Sequence, residues 1–156
     1  YGAYPDELEE RLVIFRRRLA NALQEDLDEV LVVGHSSGAY LGVSVLADAI
    51  RAGDIPADGP ALAFLSLGQV VPMVSFLPKA DGLRRDLHDL AGDERITWVD
   101  ISAPGDGCSF ALCDPVAVSG VAGPGQRWPL VLSFMGKNWN TVDPRMLTAR
   151  WSAGRV

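Results

Sequence analysis

The chain's most reactive-looking feature is a serine set between glycines. Residues 34–38 read Gly34-His35-Ser36-Ser37-Gly38, a Gly-x-Ser-x-Gly pentapeptide that begins where an apolar run, Val30-Leu31-Val32-Val33, ends. A nucleophilic serine wants a strand, a very tight turn and then a helix, so that its hydroxyl stands at the apex, clear of the sheet. Such a turn puts the serine backbone in a sparsely populated conformation, a strain of about 1–3 kcal/mol that functional sites tolerate. Gly34 and Gly38, two residues to either side of Ser36, are expected where a Cβ would collide with the neighbouring chain. The same pattern also suits a serine that only caps the following helix.

The context favours the nucleophile. Val30–Val33 has the continuous apolar character of a strand buried on both faces of a parallel sheet. After the turn, Ala39, Val43, Leu46 and Ile50 fall on one helical face, and Gly53 is a helix stop. A phosphate-binding turn fits poorly. No lysine occupies the P-loop position after Gly34–Gly38, and the Gly120–Gly125 stretch matches no dinucleotide fingerprint.

Val32-Val33-Gly34-His35-Ser36-Ser37-Gly38-Ala39 resembles the nucleophile elbow of the α/β-hydrolases, the superfamily of esterases, lipases, thioesterases and peptidases. Ala63-Phe64-Leu65-Ser66-Leu67-Gly68 is similar to the strand after the elbow in lipase-like members, and Ile96-Thr97-Trp98-Val99-Asp100 to the strand after that. The resemblance spans roughly residues 6–137 and is specific only at the elbow. It implies an α/β fold of three layers, α/β/α, with a mostly parallel sheet. It also implies a nucleophile, acid, histidine order along the chain. Asp106, in Ala103-Pro104-Gly105-Asp106-Gly107, stands where the resemblance puts the acid; Asp100 and Asp114 are rivals, Asp100 the nearer. A turn aspartate between two glycines is the other reading of Asp106. One oxyanion donor would be the backbone N–H of Ser37, helped by the positive end of the following helix.

The base is the difficulty. The chain has two histidines, His35 and His88. His35 occupies the variable position of the elbow and is not the base; His88 lies in a helix ahead of the candidate acid. The second oxyanion donor ordinarily comes from a loop after an earlier strand, and here only one helix precedes the elbow strand. Compared with the family, residues 1–156 are therefore expected to be a single domain truncated at both ends, the central and later part of a larger hydrolase. The family's strand order puts the elbow strand in the middle of the sheet, paired on one side to strands these residues lack. Val30–Val33 is then expected to be left as an edge strand, with either self-association through that edge or missing segments that complete the sheet.

Composition sets outer bounds. With 48% hydrophobic and 22% charged residues over 156, the chain is an ordinary globular domain with a real core. A net charge of −6 argues against nucleic acid as the main partner. Arg16-Arg17-Arg18 reads as a solvated helix face among many acids. No apolar run approaches a membrane span and no signal-peptide pattern opens the chain, so a cytoplasmic location is expected, although a start at Tyr1 says little about what precedes it. Cys108 and Cys113 cannot by themselves make a tetrahedral zinc site, and two reduced thiols are expected. No cofactor and no metal are implied.

The remaining elements follow from periodicity. Asp6 reads as the N-cap of a first helix with Glu9 in a capping-box position, and Leu8, Leu12, Phe15, Leu19 and Leu23 form its apolar stripe to about residue 25. Residues 53–60 are a loop. Ala61–Leu67 and Arg95–Ile101 read as strands, Asp81–Leu90 as a helix ending at Gly92, and Leu130–Met135 as a fourth strand. Gln69–Pro78, interrupted by Pro72 and Pro78, resists assignment, and residues 102–128 form a long loop of the kind that is usually functional or disordered. Asp143 and Pro144 open a last short helix.

Two functional classes fit. One is a serine hydrolase of ester or thioester bonds, with Ser36 as nucleophile, Asp106 as acid and a small-molecule or acyl substrate. The other is a non-catalytic hydrolase-like binding or assembly module in which the elbow survives without a base. Val70, Val71, Met73, Phe76 and Leu77 suit an acyl chain at the site mouth, and suit core or a subunit contact as well.

Overall fold

In the computed structural model, which describes residues 2–134 and 147–150, an apolar run and a helical stripe alternate along the chain to form a wound sheet. The elements are α1 (Asp6–Ala22), β1 (Glu29–His35), α2 (Ser37–Ala52), β2 (Ala61–Leu67), α3 (Val71–Ser75), α4 (Asp81–Gly92), β3 (Ile96–Ser102), α5 (Pro115–Val118), β4 (Leu130–Phe134) and β5 (Leu147–Arg150). The sheet order is β1-β2-β3-β4-β5, with β1 to β4 all parallel and β5 antiparallel. This is the expected α/β architecture with a mostly parallel sheet; the three-layer α/β/α class it is consistent with has helices on both faces, and the described residues supply the helical layer of one of them. The helix expected at Asp143 and Pro144 lies outside the described residues.

Right-handed crossovers that always step the same way across a sheet lay their helices on one face. The core gathers there. Leu62 and Phe64 of β2 and Ile96 and Trp98 of β3 pack with Val43 and Leu46 of α2, Leu83, Leu87 and Leu90 of α4, and Leu12 and Leu19 of α1. Phe64 and Trp98 pack with their rings tilted by 38° and their centroids 5.5 Å apart. Arg51 of α2 clamps the two central helices, donating to Asp48 at 2.6 Å and, on α4, to Asp86 and Asp89 at 2.7 Å each. A cavity of about 180 Å³ lies on this helical side, lined among others by Tyr4, Glu9, Ser44 and Asp86. Burial pushes the Tyr4 hydroxyl and the Glu9 and Asp86 carboxyls up.

Several local expectations change. Pro5, not Asp6, is the N-cap of α1 and makes no side-chain cap, so the capping box does not form. Phe15 leaves the apolar stripe and is 55% exposed. The run from Gln69 contains α3, because Pro72 sits in the first helical turn, where its missing N–H costs nothing. The long loop contains α5, capped by Asp114.

The largest correction concerns β1. It is not buried on both faces among the described residues: Leu31 is 51% and Val33 55% exposed, while Val30 and Val32 pack towards the core. The register aligns Leu31 with Ala63, and Val33 with Leu65, Val99 and Leu130, in rows across the same open face. Among the described residues β1 is also an edge strand of the sheet, with β2 on one side. An edge strand beside an apolar face invites pairing with another chain. The 156-residue chain is expected to self-associate, so its sedimentation coefficient should rise with concentration, and Val33→Lys, which charges that face, should weaken the rise. A wild-type chain that stays monomeric throughout contradicts this.

Candidate functional site

The elbow forms where the carboxyl end of β1 meets α2. Ser36 stands between them with φ 55° and ψ −117°, a strained backbone for a residue with a Cβ. Its N–H donates to Leu67 O at 2.9 Å, which continues the β1–β2 ladder to the apex, and its own carbonyl accepts from Ala39 N at 3.1 Å. The Ser36 side chain makes no capping hydrogen bond, so the hydroxyl is not spent on the helix. Ser37 is the first residue of α2, so its N–H has no intrahelical partner and lies at the positive end of a sixteen-residue helix.

Gly34 makes the turn possible. A Cβ there would lie 2.6 Å from Gly38 O and 2.9 Å from Ala39 Cα, both backbone atoms that cannot step aside. Gly38 behaves otherwise: nothing lies within 4 Å of a Cβ at that position, and its φ is not positive. The expected collision at Gly38 does not occur.

The two candidate acids part company. Asp106 follows β3 in a turn in which its N–H donates to Ala103 O at 2.9 Å and its Oδ1 accepts from Cys108 N at 3.0 Å. Its Oδ2 is 3.1 Å from where a Cβ on Gly68 would stand, and Gly68 itself has φ 53°. Since Ser36 N–H is bonded to Leu67, Asp106 and Ser36 flank the Leu67–Gly68 peptide on the same sheet edge. Asp100 points into the helical side and is fully buried. Ser66 Oγ donates to its Oδ1, and Trp98 Nε1 donates to Ser66 Oγ at 2.9 Å. Burial pushes the Asp100 carboxyl up to about 7, against the lowering effect of the Ser66 hydrogen bond. Asp100 Oδ2, Ser102 Oγ and Ser133 Oγ are buried and have no hydrogen-bond partner among the described residues. The other rival, Asp114, is occupied as the α5 cap, accepting from Val116 N at 2.8 Å and Ala117 N at 3.2 Å through Oδ1, and from Gln126 Nε2 at 2.8 Å through Oδ2.

Neither histidine faces the elbow. His35 ends β1, exposed, and by strand alternation shares the open face with Leu31 and Val33. His88 is exposed towards the end of α4 that feeds the amino end of β3, beside Asp89 and Gly123. The apolar mouth residues also divide: Val70 and Val71 are buried, whereas Met73 and Phe76 are each 61% exposed. Cys108, exposed, and Cys113, half-buried, are free thiols. Among the described residues no group of acidic, histidine and cysteine side chains is arranged to hold a metal ion, and no helix is long and apolar enough to cross a membrane.

One site residue escaped the sequence reading. Gln69 is fully buried at the exit of β2, with its amide bonded to the loop that carries Asp106. A glutamine inside an otherwise apolar run was the available signal.

No protein-family model, no curated protein and no solved structure matches this chain.

Two outcomes follow from this geometry. Gly34→Ala is expected to destabilise the chain severely or prevent folding, whereas Gly38→Ala should be neutral or stabilise it by about 0.5–1 kcal/mol through helix propensity; equal effects of the two in thermal melts contradict the elbow packing. For Asp100 the folded carboxyl binds its proton more tightly than the ordinary value of 3.8. Its contribution is therefore intact below pH 4 and is lost as pH rises towards 7. Asp100→Asn should remove that loss, so that its Tm gains on wild type by on the order of 5–10 °C between pH 4 and pH 7. A pH-independent difference contradicts the buried proton.

Proposed function

We propose that the chain belongs to the α/β-hydrolase superfamily and hydrolyses ester or thioester bonds of a small-molecule or acyl substrate through an acyl-enzyme on Ser36. The observation that carries this reading is the strained Ser36 at a strand-to-helix turn on the carboxyl edge of a parallel sheet, where such folds bind ligands.

In the proposed reaction Ser36 Oγ attacks the carbonyl carbon while its proton passes to an imidazole base, which neither His35 nor His88 is placed to supply and which is therefore an added co-reactant for residues 1–156. The carbonyl oxygen gains negative charge, which the Ser37 N–H and the α2 dipole stabilise. Collapse breaks the carbonyl C–O or C–S bond, and the leaving group takes the proton back from the imidazolium. Water, deprotonated by the same base, then attacks the ester on Ser36 and frees the acid. Asp106 orients the imidazole and stabilises its charged form. It is suited to this by its place: an imidazole bridging acid and hydroxyl needs the two carriers apart but on one edge, as Asp106 and Ser36 are across Leu67–Gly68. Exposed Met73 and Phe76 support an apolar substrate portion. The reading also assigns the protein to a reducing compartment such as the cytoplasm, which two free thiols support.

A second reading, a hydrolase-like module kept for binding or assembly, is favoured because neither His35 nor His88 is placed to act as a base for Ser36. Chemistry separates the two. A fluorophosphonate is expected to label Ser36 slowly, with Ser36→Ala abolishing the adduct. Turnover of p-nitrophenyl acetate, corrected for the Ser36→Ala background, should be weak and should increase with added imidazole, and Asp106→Asn should remove most of that increase. A covalently supplied histidine would raise the Asp106→Asn penalty to on the order of 10³–10⁴. No adduct at Ser36 and no Ser36-dependent turnover at any imidazole concentration would leave the binding module standing.

A further inference from the structure

Gln69 is an expensive residue to bury. Its side chain is fully enclosed, and an amide taken out of water without partners costs about 1–3 kcal/mol. The chain meets that cost with a specific set of bonds. Oε1 accepts from Val71 N at 2.9 Å, which fixes the side chain to the start of α3. Nε2 donates to Phe110 O at 3.1 Å and reaches Cys113 Sγ at 3.5 Å. The backbone adds a reciprocal bond, Phe110 N donating to Gln69 O at 3.0 Å. Both backbone polar groups of Phe110 are thus held by one residue.

What lies between those anchors is the candidate acid. The loop leaves β3, is tied back at Ala103 by Asp106 N, turns through the Asp106 O to Ser109 N bond at 3.2 Å, and is gripped again at Phe110 by Gln69. Pinned at both ends of so short a span, the loop sets the Asp106 carboxylate over Gly68, the residue directly before Gln69. Leu67, one residue earlier, accepts the Ser36 N–H. The three consecutive residues Leu67, Gly68 and Gln69 therefore connect the nucleophile's backbone to the acid's loop.

We propose that Gln69 is a positioning residue for the hydrolase: through Phe110 and Cys113 it holds the loop that sets Asp106 at the right remove from Ser36. The proposal rests on the hydrolase reading above for its catalytic meaning, and on the hydrogen bonds of Gln69 for its geometry.

The test uses Gln69→Met, which keeps the volume and removes donor and acceptor, with the milder Gln69→Asn in reserve should the first fail to fold. The imidazole dependence of Ser36-dependent p-nitrophenyl acetate turnover is measured in wild type, Gln69→Met, Asp106→Asn and the double variant. Gln69→Met should still take a fluorophosphonate at Ser36 but need about tenfold more imidazole for half-saturation, and the double variant should be no worse than Asp106→Asn alone, the signature of two residues acting through one interaction. An undiminished Gln69→Met effect in the Asp106→Asn background, or an unchanged imidazole requirement, overturns the proposal. If Ser36 takes no label at all, the hydrolase reading fails by itself and amide exchange judges the geometry. The Cys108 amide, bonded to Asp106 Oδ1, should then exchange about tenfold faster or more in Gln69→Met while the β2 amides hold, since only a local opening is released. Unchanged exchange at Cys108 overturns the positioning role.

Discussion

Close backbone contact at Gly34 is the constraint on which the rest of the site depends. The peptide of Gly38 and the Cα of Ala39 come so near that only hydrogen fits at Gly34, and this approach forces the chain to reverse within Ser36. The reversal leaves Ser36 with a positive φ, a strain that the chain retains because β1 is bonded to β2 up to the apex and α2 is packed against both strands. Gly42 carries the same demand further along, since a Cβ there would meet the Phe64 ring at 2.8 Å. The helix is thereby drawn onto the sheet, and its N-terminus stays aimed at the space beside the Ser36 hydroxyl.

Around that turn the polar groups sort by depth. Asp100 is sealed beneath the sheet edge with Ser66 and Trp98, where burial favours its neutral form; it belongs to the interior. Asp106, six residues on, is half-exposed at the surface of the same edge and keeps an oxygen over Gly68. Two carboxylates so close in sequence thus have different chemistry, because strand alternation and the end of β3 separate them. Asp114 is removed from contention by its own N-cap bonds.

Local rules read much of this correctly from the sequence. The Gly-x-Ser-x-Gly turn, the Ala61–Leu67 strand and the Gly53 stop of α2 are set by neighbouring residues, so pattern alone locates them. The misreadings are of other kinds. The apolar run of β1 predicts cover on both faces, but hydrophobicity reports the capacity to be buried and not the presence of a neighbour. Gln69–Pro78 resists assignment from pattern because a proline can open a helix as well as interrupt one, and Pro72 opens α3. The collision assigned to Gly38 needed a knowledge of which backbone atoms oppose it, and Gln69 acquires meaning only from Phe110 and Cys113, more than forty residues away. The fold class is therefore legible because it rests on periodicity, while the support of the site is not, because it rests on tertiary contacts.

The central claim is that Ser36 is a nucleophile presented by this turn, with Ser37 N–H as its oxyanion donor. A crystal structure of the chain after treatment with a fluorophosphonate tests it most directly. The account predicts phosphorus bonded to Ser36 Oγ, the phosphoryl oxygen accepting from Ser37 N–H, and the remaining substituents in the space bounded by Asp106 and Gly68. An unmodified Ser36, or an adduct whose phosphoryl oxygen turns away from Ser37 N–H, would contradict it.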